Sequence, residues 1–328
     1  MIETDLVISN LLSPPVLFFS LGILAALARS DLEVPESIGK LFSLYLLWAI
    51  GFKGGVELNV AGFDPRVFVQ LGLGVLLSAG TAFTVFRFVR KRLGIDNATA
   101  VAASYGSVSV VTFITGSNFL ERQGIPYGGH LVALLALMES PAILVAIWVH
   151  RHATREASEA DGERVSHGHM LREALFNGPV FLLLGSLVAG ILTGERGFAP
   201  LKPFCNDIFQ GVLVLFLLEG GLRAGRRLGE LREIGGTAIR LALTLPPASA
   251  FVSLVLARIV GMGLGDTVLF MLLAASASYI AVPAAMRTAV PKANPAVYVP
   301  MALTLTFPLN ISIGIPLYTL AARLAGAK

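Results

Sequence analysis

The stretch AIGFKGGVEL, Ala49 to Leu58, ends an uncharged apolar run with a lysine set beside two glycines. Further on, FLLEGGLRAG, Phe216 to Gly225, repeats the arrangement with the charge signs exchanged. Aligning FKGGVEL with LEGGLRA places Lys53 on Glu219, Gly54 and Gly55 on Gly220 and Gly221, and Glu57 on Arg223. The match extends outward in both directions. SPPVLFFSLGILAAL sets Pro15 on Pro179 of NGPVFLLLGSLVAGI, and Pro141 of MESPAILVAIWV pairs with Pro308 of TFPLNISIGIPL. Proline and Gly-Gly positions that recur in one order point to two related halves.

Composition says where those halves lie. Of 328 residues, 55% are hydrophobic and 14% charged, with a mean hydropathy of +0.76. Soluble domains carry about a quarter charged residues, so an all-α polytopic membrane protein is expected. Ten transmembrane spans are read at 13–29, 38–58, 66–88, 98–120, 128–149, 174–193, 203–222, 235–257, 266–287 and 296–321. Residues 1–150 form the first five-helix repeat and 173–328 the second, joined by the hydrophilic linker 151–172. An odd number of spans per half inserts the second half from the opposite side, the inverted-repeat plan of secondary transporters.

The acidic N-terminus MIETDL lacks the basic start of a signal peptide, so the first span is expected to be retained. Cys205 is alone, which excludes an intramolecular disulfide and a cysteine metal cage. A net charge of +4 reports orientation here rather than a nucleic-acid partner. With both termini outside, seventeen of the 25 basic residues fall on the cytoplasmic side, seven outside, and Lys53 within a span. That asymmetry puts the linker in the cytoplasm. His150, His152, His167 and His169 have His-x-His spacing, but no carboxylate pattern completes a metal site. The linker is read as solvated. His130 is read as an interfacial residue.

Lys53 and Glu57 are one helical turn apart, as are Glu219 and Arg223. Each half is therefore expected to hold a local ion pair, Lys53–Glu57 and Glu219–Arg223, near a Gly-Gly weak point. A direct Lys53–Glu219 bridge would have to span roughly 15 Å along the membrane normal at ~1.5 Å per residue. Snorkelling of Lys53 to the interface, or a transport role for it, are the other readings.

Chemistry concentrates in spans four and nine. AASYGSVSVVTFITGSN brings Ser104, Ser107, Ser109, Thr112, Thr115, Ser117 and Asn118 into one uncharged stretch broken by Gly106 and Gly116. LAASASYIAVPAAM offers Ser276, Ser278 and Tyr279 ahead of Pro283. An interrupted helix presents free N–H groups at one broken end, which hold a small anion, and free carbonyls at the other, which suit Na+. Candidate substrate contacts are Gly106, Ser107, Ser109, Thr112, Ser276, Ser278 and Tyr279; candidate Na+ contacts are Ser104, Ser109, Ser276 and Glu139. Close helix packing through small residues is the alternative for any one of these serines. Glu139, just before Pro141, is an intramembrane carboxylate and so a cation ligand or proton carrier. Thr304, Thr306 and Asn310 could share its polar face.

GFKGGVEL, YGSVSVVTF, LERQG, ASASYIAVPAAMR, PKANPAVY and GIPLY together resemble the sodium-dependent bicarbonate permease family, over residues 12–322. The resemblance implies ten spans in two inverted halves, core and gate domains drawn from both, and a homotrimer in the inner membrane. It also implies Na+-coupled bicarbonate uptake by elevator-like motion, no cofactor beyond the coupling ion, and a PII-like regulator on the cytoplasmic face. Gly106, Val108, Ser109 and Thr112 match the family's fourth span, and Ser276, Ser278 and Pro283 its ninth. The bicarbonate-transporting branch has Gly or Ser at Val110 and Val111, aspartate at Tyr279, and small polar residues near Ala281 and Val282. These departures make the site bulkier and less acidic. Other readings are a small carboxylate or anion as substrate, proton coupling through Glu139, and a transport-inactive receptor for the regulator. An enzyme is not expected: the spans hold no HExxH motif, and His130 is their only histidine away from the cytoplasmic boundary.

Overall fold

A computed structural model describes residues 2–62, 64–157, 178–232 and 234–327. Most of the linker, with His167 and His169, lies outside the described residues. Among those described the fold is all-helical, without a strand. Its main helices are α1 (Ile2–Leu11), α2 (Pro14–Leu27), α3 (Glu36–Ala61), α4 (Pro65–Gly106), α5 (Val110–Arg122) and α6 (His130–Ala157). After the linker come α7 (Gly178–Phe198), α8 (Ile208–Arg226), α9 (Gly235–Val260), α10 (Leu264–Ala275), α11 (Ala281–Ala289) and α12 (Pro295–Leu324). Seven helical segments among the described residues are long and apolar enough to cross a membrane, while Pro14–Leu27 and Leu264–Ala275 are apolar but shorter. This is a multi-pass membrane protein.

One of the seven, Pro65–Arg122, runs for 58 residues. At ~1.5 Å per residue it would reach far beyond a ~30 Å hydrocarbon layer if straight. It is not straight. Gly94 has φ 77° and ψ 165°, a backbone conformation that favours glycine. A Cβ built on Gly106 would come within 2.8 Å of Ala82 Cβ. Those residues flank Gly94 at equal distance in sequence, so the chain doubles back there and its two limbs pack side by side.

Helices α2, α3, α7 and α8 pack chiefly on one another, through α3–α7 and α2–α8. Helix α4 packs on α6, while α10 packs on α9, α5 and α12. The Gly-Gly positions serve the first group. They are close crossings rather than weak points, because α3 and α8 run through them without a break. A Cβ on Gly55 would lie 2.0 Å from Leu187 O, and one on Gly221 would lie 2.0 Å from Phe19 O. From the other side, Gly190 meets Phe52 O and Gly22 meets Leu218 O, each at 2.2 Å. Glycine lets the backbones touch.

Prolines inside the helices free carbonyls, and buried side chains take them up. Pro316 has no N–H for Ser312 O, and this stretch of α12 winds as a π-turn, Asn310–Gly314. Asn10 Nδ2 donates to both Ile311 O and Ser312 O at 2.8 Å, which pins α1 against α12. Pro246 likewise releases Ala242 O, and Thr306 Oγ1 donates to it at 3.0 Å. Tyr105 OH lies 2.8 Å from the same Thr306 hydroxyl. Thr306 and Asn310 therefore serve the structure of α12, each holding a carbonyl of another helix.

Candidate functional site

Two helical paths break off inside the protein. α4 ends at Gly106 and α5 begins at Val110, so residues 107–109 are not helical; α10 ends at Ala275 and α11 begins at Ala281, leaving residues 276–280 open. The breaks meet. Ser109 N donates to Ser276 Oγ at 2.8 Å, and Ser278 N donates to Ser104 O at 2.8 Å. Two reciprocal bonds thus tie the crossing, each joining residues far apart in the chain.

The local chemistry explains why the breaks are stable. Ser109 is the N-cap of α5, its φ −107° and ψ 111° extended, and its hydroxyl accepts from Thr112 N at 3.3 Å. Ser276 is the C-cap of α10, and its Oγ donates to Leu273 O at 2.8 Å while accepting from Ser109 N. Asn310 Nδ2 covers the next free carbonyl, Ala275 O, at 2.8 Å, and Tyr318 OH holds the Asn310 amide oxygen at 3.1 Å. Ser107 Oγ donates to Glu139 O at 3.1 Å and Ser78 Oγ to Met138 O at 2.8 Å. The first bond ties the middle of α6 to the break, the second to the first limb of α4.

Two hydroxyls have no such task. Ser104 Oγ and Thr112 Oγ1 are buried, at 0% and 1% residue exposure, and make no hydrogen bond among the described residues. A buried polar atom without a partner is uncommon. Oxygen donors next to broken helix ends are the groups a dehydrated cation uses. Ser104, Thr112, Ser109 and Ser276 fit Na+ by donor chemistry. The Glu139 carboxylate also has no hydrogen-bond or ion-pair partner among the described residues, although its residue is only 8% exposed.

Other expected site residues divide. Gly106 is a packing residue, since Ala82 and Ala142 fill the space beside it. Ser278 reaches the crossing through its backbone N–H. Tyr279 sets its ring edge-on to Phe307, centroids 5.7 Å apart, with its hydroxyl toward Ser109 and the Glu219–Arg223 pair. Thr115 and Ser117 donate back to Val111 O and Ile114 O in their own helix. Asn118 is buried, and neither amide atom has a partner among the described residues.

The ion pairs require a correction. Glu219–Arg223 forms as expected, at 2.5 Å within α8. Lys53–Glu57 does not. Lys53 Nζ sits 2.6 Å from Glu121 Oε1 on α5, and Tyr127 OH donates to the same oxygen at 2.8 Å. Glu57 instead lies against Gly129, ahead of α6. A lysine stem reaches another helix as readily as the next turn, and Glu121 is the better-placed acid. The available signal was the Glu of LERQG, Glu121, just past the end of span four.

Histidines also differ from expectation. His150 and His152 belong to the last turns of α6 rather than to a solvated linker. His150 Nε2 lies 2.8 Å from Asp96 Oδ1, and His152 packs on Trp148 with centroids 4.4 Å apart. His130, the first residue of α6, is buried, 2.5 Å from Gln70 Oε1 and 3.8 Å from Asp266 Oδ2.

Interrupted helices that cross inside a multi-pass protein are an architecture of membrane transporters. The sequence model of the Na+-dependent bicarbonate transporter superfamily matches residues 14–323, and the chain belongs to that superfamily. No curated protein matches the chain.

Proposed function

We propose that this protein is a secondary active transporter that couples Na+ to uptake of bicarbonate or a similar small anion, the ions meeting where the two breaks cross. Family membership supports the substrate class. The observation that carries the location is the pair of buried, unpartnered hydroxyls, Ser104 Oγ and Thr112 Oγ1, beside helix ends already bonded to each other. Free N–H groups at the start of α5 suit the anion, and oxygens at the end of α4 suit Na+. An elevator-like motion fits a chain whose α2, α3, α7 and α8 pack chiefly on one another, apart from the helices bearing the breaks. The reciprocal glycine crossings α3–α7 and α2–α8 are the pattern that two inverted five-span halves would produce. On this reading the ten spans lie in the inner membrane as a homotrimer, with both termini outside. The linker is cytoplasmic and available to a PII-like regulator, and no further cofactor takes part.

The sign of one substitution separates ligation from packing. Thr112→Val keeps the shape and removes a hydroxyl without a partner among the described residues. Stability without Na+ is expected to hold or rise, because a buried unpaired group disappears. The Na+ concentration giving half-maximal thermal stabilisation is expected to rise about tenfold, equivalent to ~1.4 kcal/mol. An unchanged Na+ response in both Thr112→Val and Ser104→Ala would remove the cation from this crossing.

A second reading, proton coupling, rests on the unpaired Glu139 carboxylate. It predicts that a proton gradient alone drives uptake in proteoliposomes and that Glu139→Gln abolishes this. Sodium coupling predicts uptake that follows the Na+ gradient at fixed pH.

A further inference from the structure

Between the C-terminal parts of α3 and α5 and the start of α8 lies a cavity of about 270 Å³. Its polar wall is formed by Lys53, Ser117, Glu121, Asn206 and Gln210, with Phe209 among its apolar residues. It is separate from the crossing of the breaks, none of whose bonded serines lines it. Lys53 supplies an ammonium. Asn206 supplies a side-chain amide. Glu121 holds the ammonium with one carboxylate oxygen, the oxygen that Tyr127 also uses.

The Lys53–Glu121 contact crosses between packing groups. α3 belongs with α2, α7 and α8, whereas α5 packs on α10. The aligned position in the other half behaves differently, since Glu219 is met by Arg223 one turn along its own helix. Among the described residues, an ion pair joins the two groups only here. It is also exchangeable: its side chains are 25% and 37% exposed, and such pairs contribute little to stability. A carboxylate presents two oxygens to an ammonium, and bicarbonate and small carboxylates present the same two. Glu121 occupies the place such an anion would take.

We propose that this cavity is a second binding site for a small oxyanion, which replaces Glu121 on Lys53 and so releases α5 from α3. This deepens the transport reading and rests on it for the identity of the anion. The central crossing would then load only after, or together with, loss of a contact that holds the two helix groups.

A thiol reporter tests the site independently of transport. Gln210→Cys in a Cys205→Ser background puts one exposed thiol on the cavity wall. Adding Ser109→Leu disables the crossing, and Ser276→Leu serves the same purpose if the first variant does not yield monodisperse protein. At fixed pH, bicarbonate is expected to slow alkylation of that thiol at least threefold relative to equimolar chloride. Lys53→Met should remove the protection. Glu121→Gln, which deletes the resident competitor, should lower the half-protecting concentration about tenfold. No protection with Lys53 intact, or protection that survives Lys53→Met, overturns the proposal. Proteoliposome uptake by the unmodified protein is scored separately: protection without uptake would sink the transport reading and leave the cavity site standing.

Discussion

Ser109→Leu is expected to abolish both Na+-dependent uptake and stabilisation by Na+, while the protein still folds. Ser109 does two things at the crossing: its hydroxyl caps Thr112 N, and its backbone N–H holds Ser276 Oγ at 2.8 Å. Losing the cap costs ~0.5–2 kcal/mol, which a large helical protein tolerates. The larger effect is steric. Ser109 is only 4% exposed, and leucine there must enter the space between the two breaks or push them apart. Ser109→Ala removes the hydroxyl without filling that space, so a weakening of up to about tenfold is expected, from ~0.5–1.5 kcal/mol. Leu192→Ala, at a position 79% exposed on α7, serves as a control with unchanged uptake. Uptake in proteoliposomes and melting temperature against Na+ concentration read both effects. Normal values for Ser109→Leu in both would move the binding site elsewhere.

The breaks could be seen in the sequence because serine and glycine clusters inside apolar runs have few other uses. Ser109 and Ser276 are candidate site residues for the same reason. Which atoms meet was not readable: Ser278 acts through its N–H and Ser104 through its carbonyl, and neither follows from residue type. Gly106 looked like a site residue because glycine approaches ligands and neighbouring helices equally well. Here it approaches Ala82 and Ala142. Lys53 was misassigned for a related reason. Helical spacing shows which acid is one turn away, but not which distant helix end brings a better one. Glu121 is remote in sequence and becomes a neighbour only once α3 and α5 are packed.

Ranges of helix survive this test better than single contacts. The reversal at Gly94 separates two apolar runs that the sequence already divides with the charged group RKR, Arg90 to Arg92. The shortness of α10 is harder to anticipate, because the span read at 266–287 continues past its end at Ala275. α10 stops where Ser276 and Asn310 take up the carbonyls of Leu273 and Ala275, a device that needs α12 in place.

The adjacent glycines of α8 give the sharpest test of how the helices are held. Gly220 and Gly221 are identical in composition and one position apart, yet their surroundings are opposite. A Cβ on Gly220 would have its nearest neighbour, the Phe19 ring, at 3.9 Å, an ordinary contact. A Cβ on Gly221 would lie 2.0 Å from the Phe19 carbonyl oxygen, which is backbone and cannot rotate away. Gly220→Ala is therefore expected to stabilise by up to ~1 kcal/mol, the helix-propensity gain. Gly221→Ala must separate α2 from α8 by more than an ångström, losing packing along the whole crossing. Overpacking of this kind costs ~1–3 kcal/mol or more, so a lowered melting temperature and reduced yield are expected. Gly55 should behave like Gly221, its obstacle being Leu187 O at 2.0 Å. Detergent melting curves of Gly220→Ala, Gly221→Ala and Gly55→Ala decide the matter. Equal tolerance of all three would mean that the α2–α8 and α3–α7 crossings do not hold this close approach, and the glycine pairs would need another explanation.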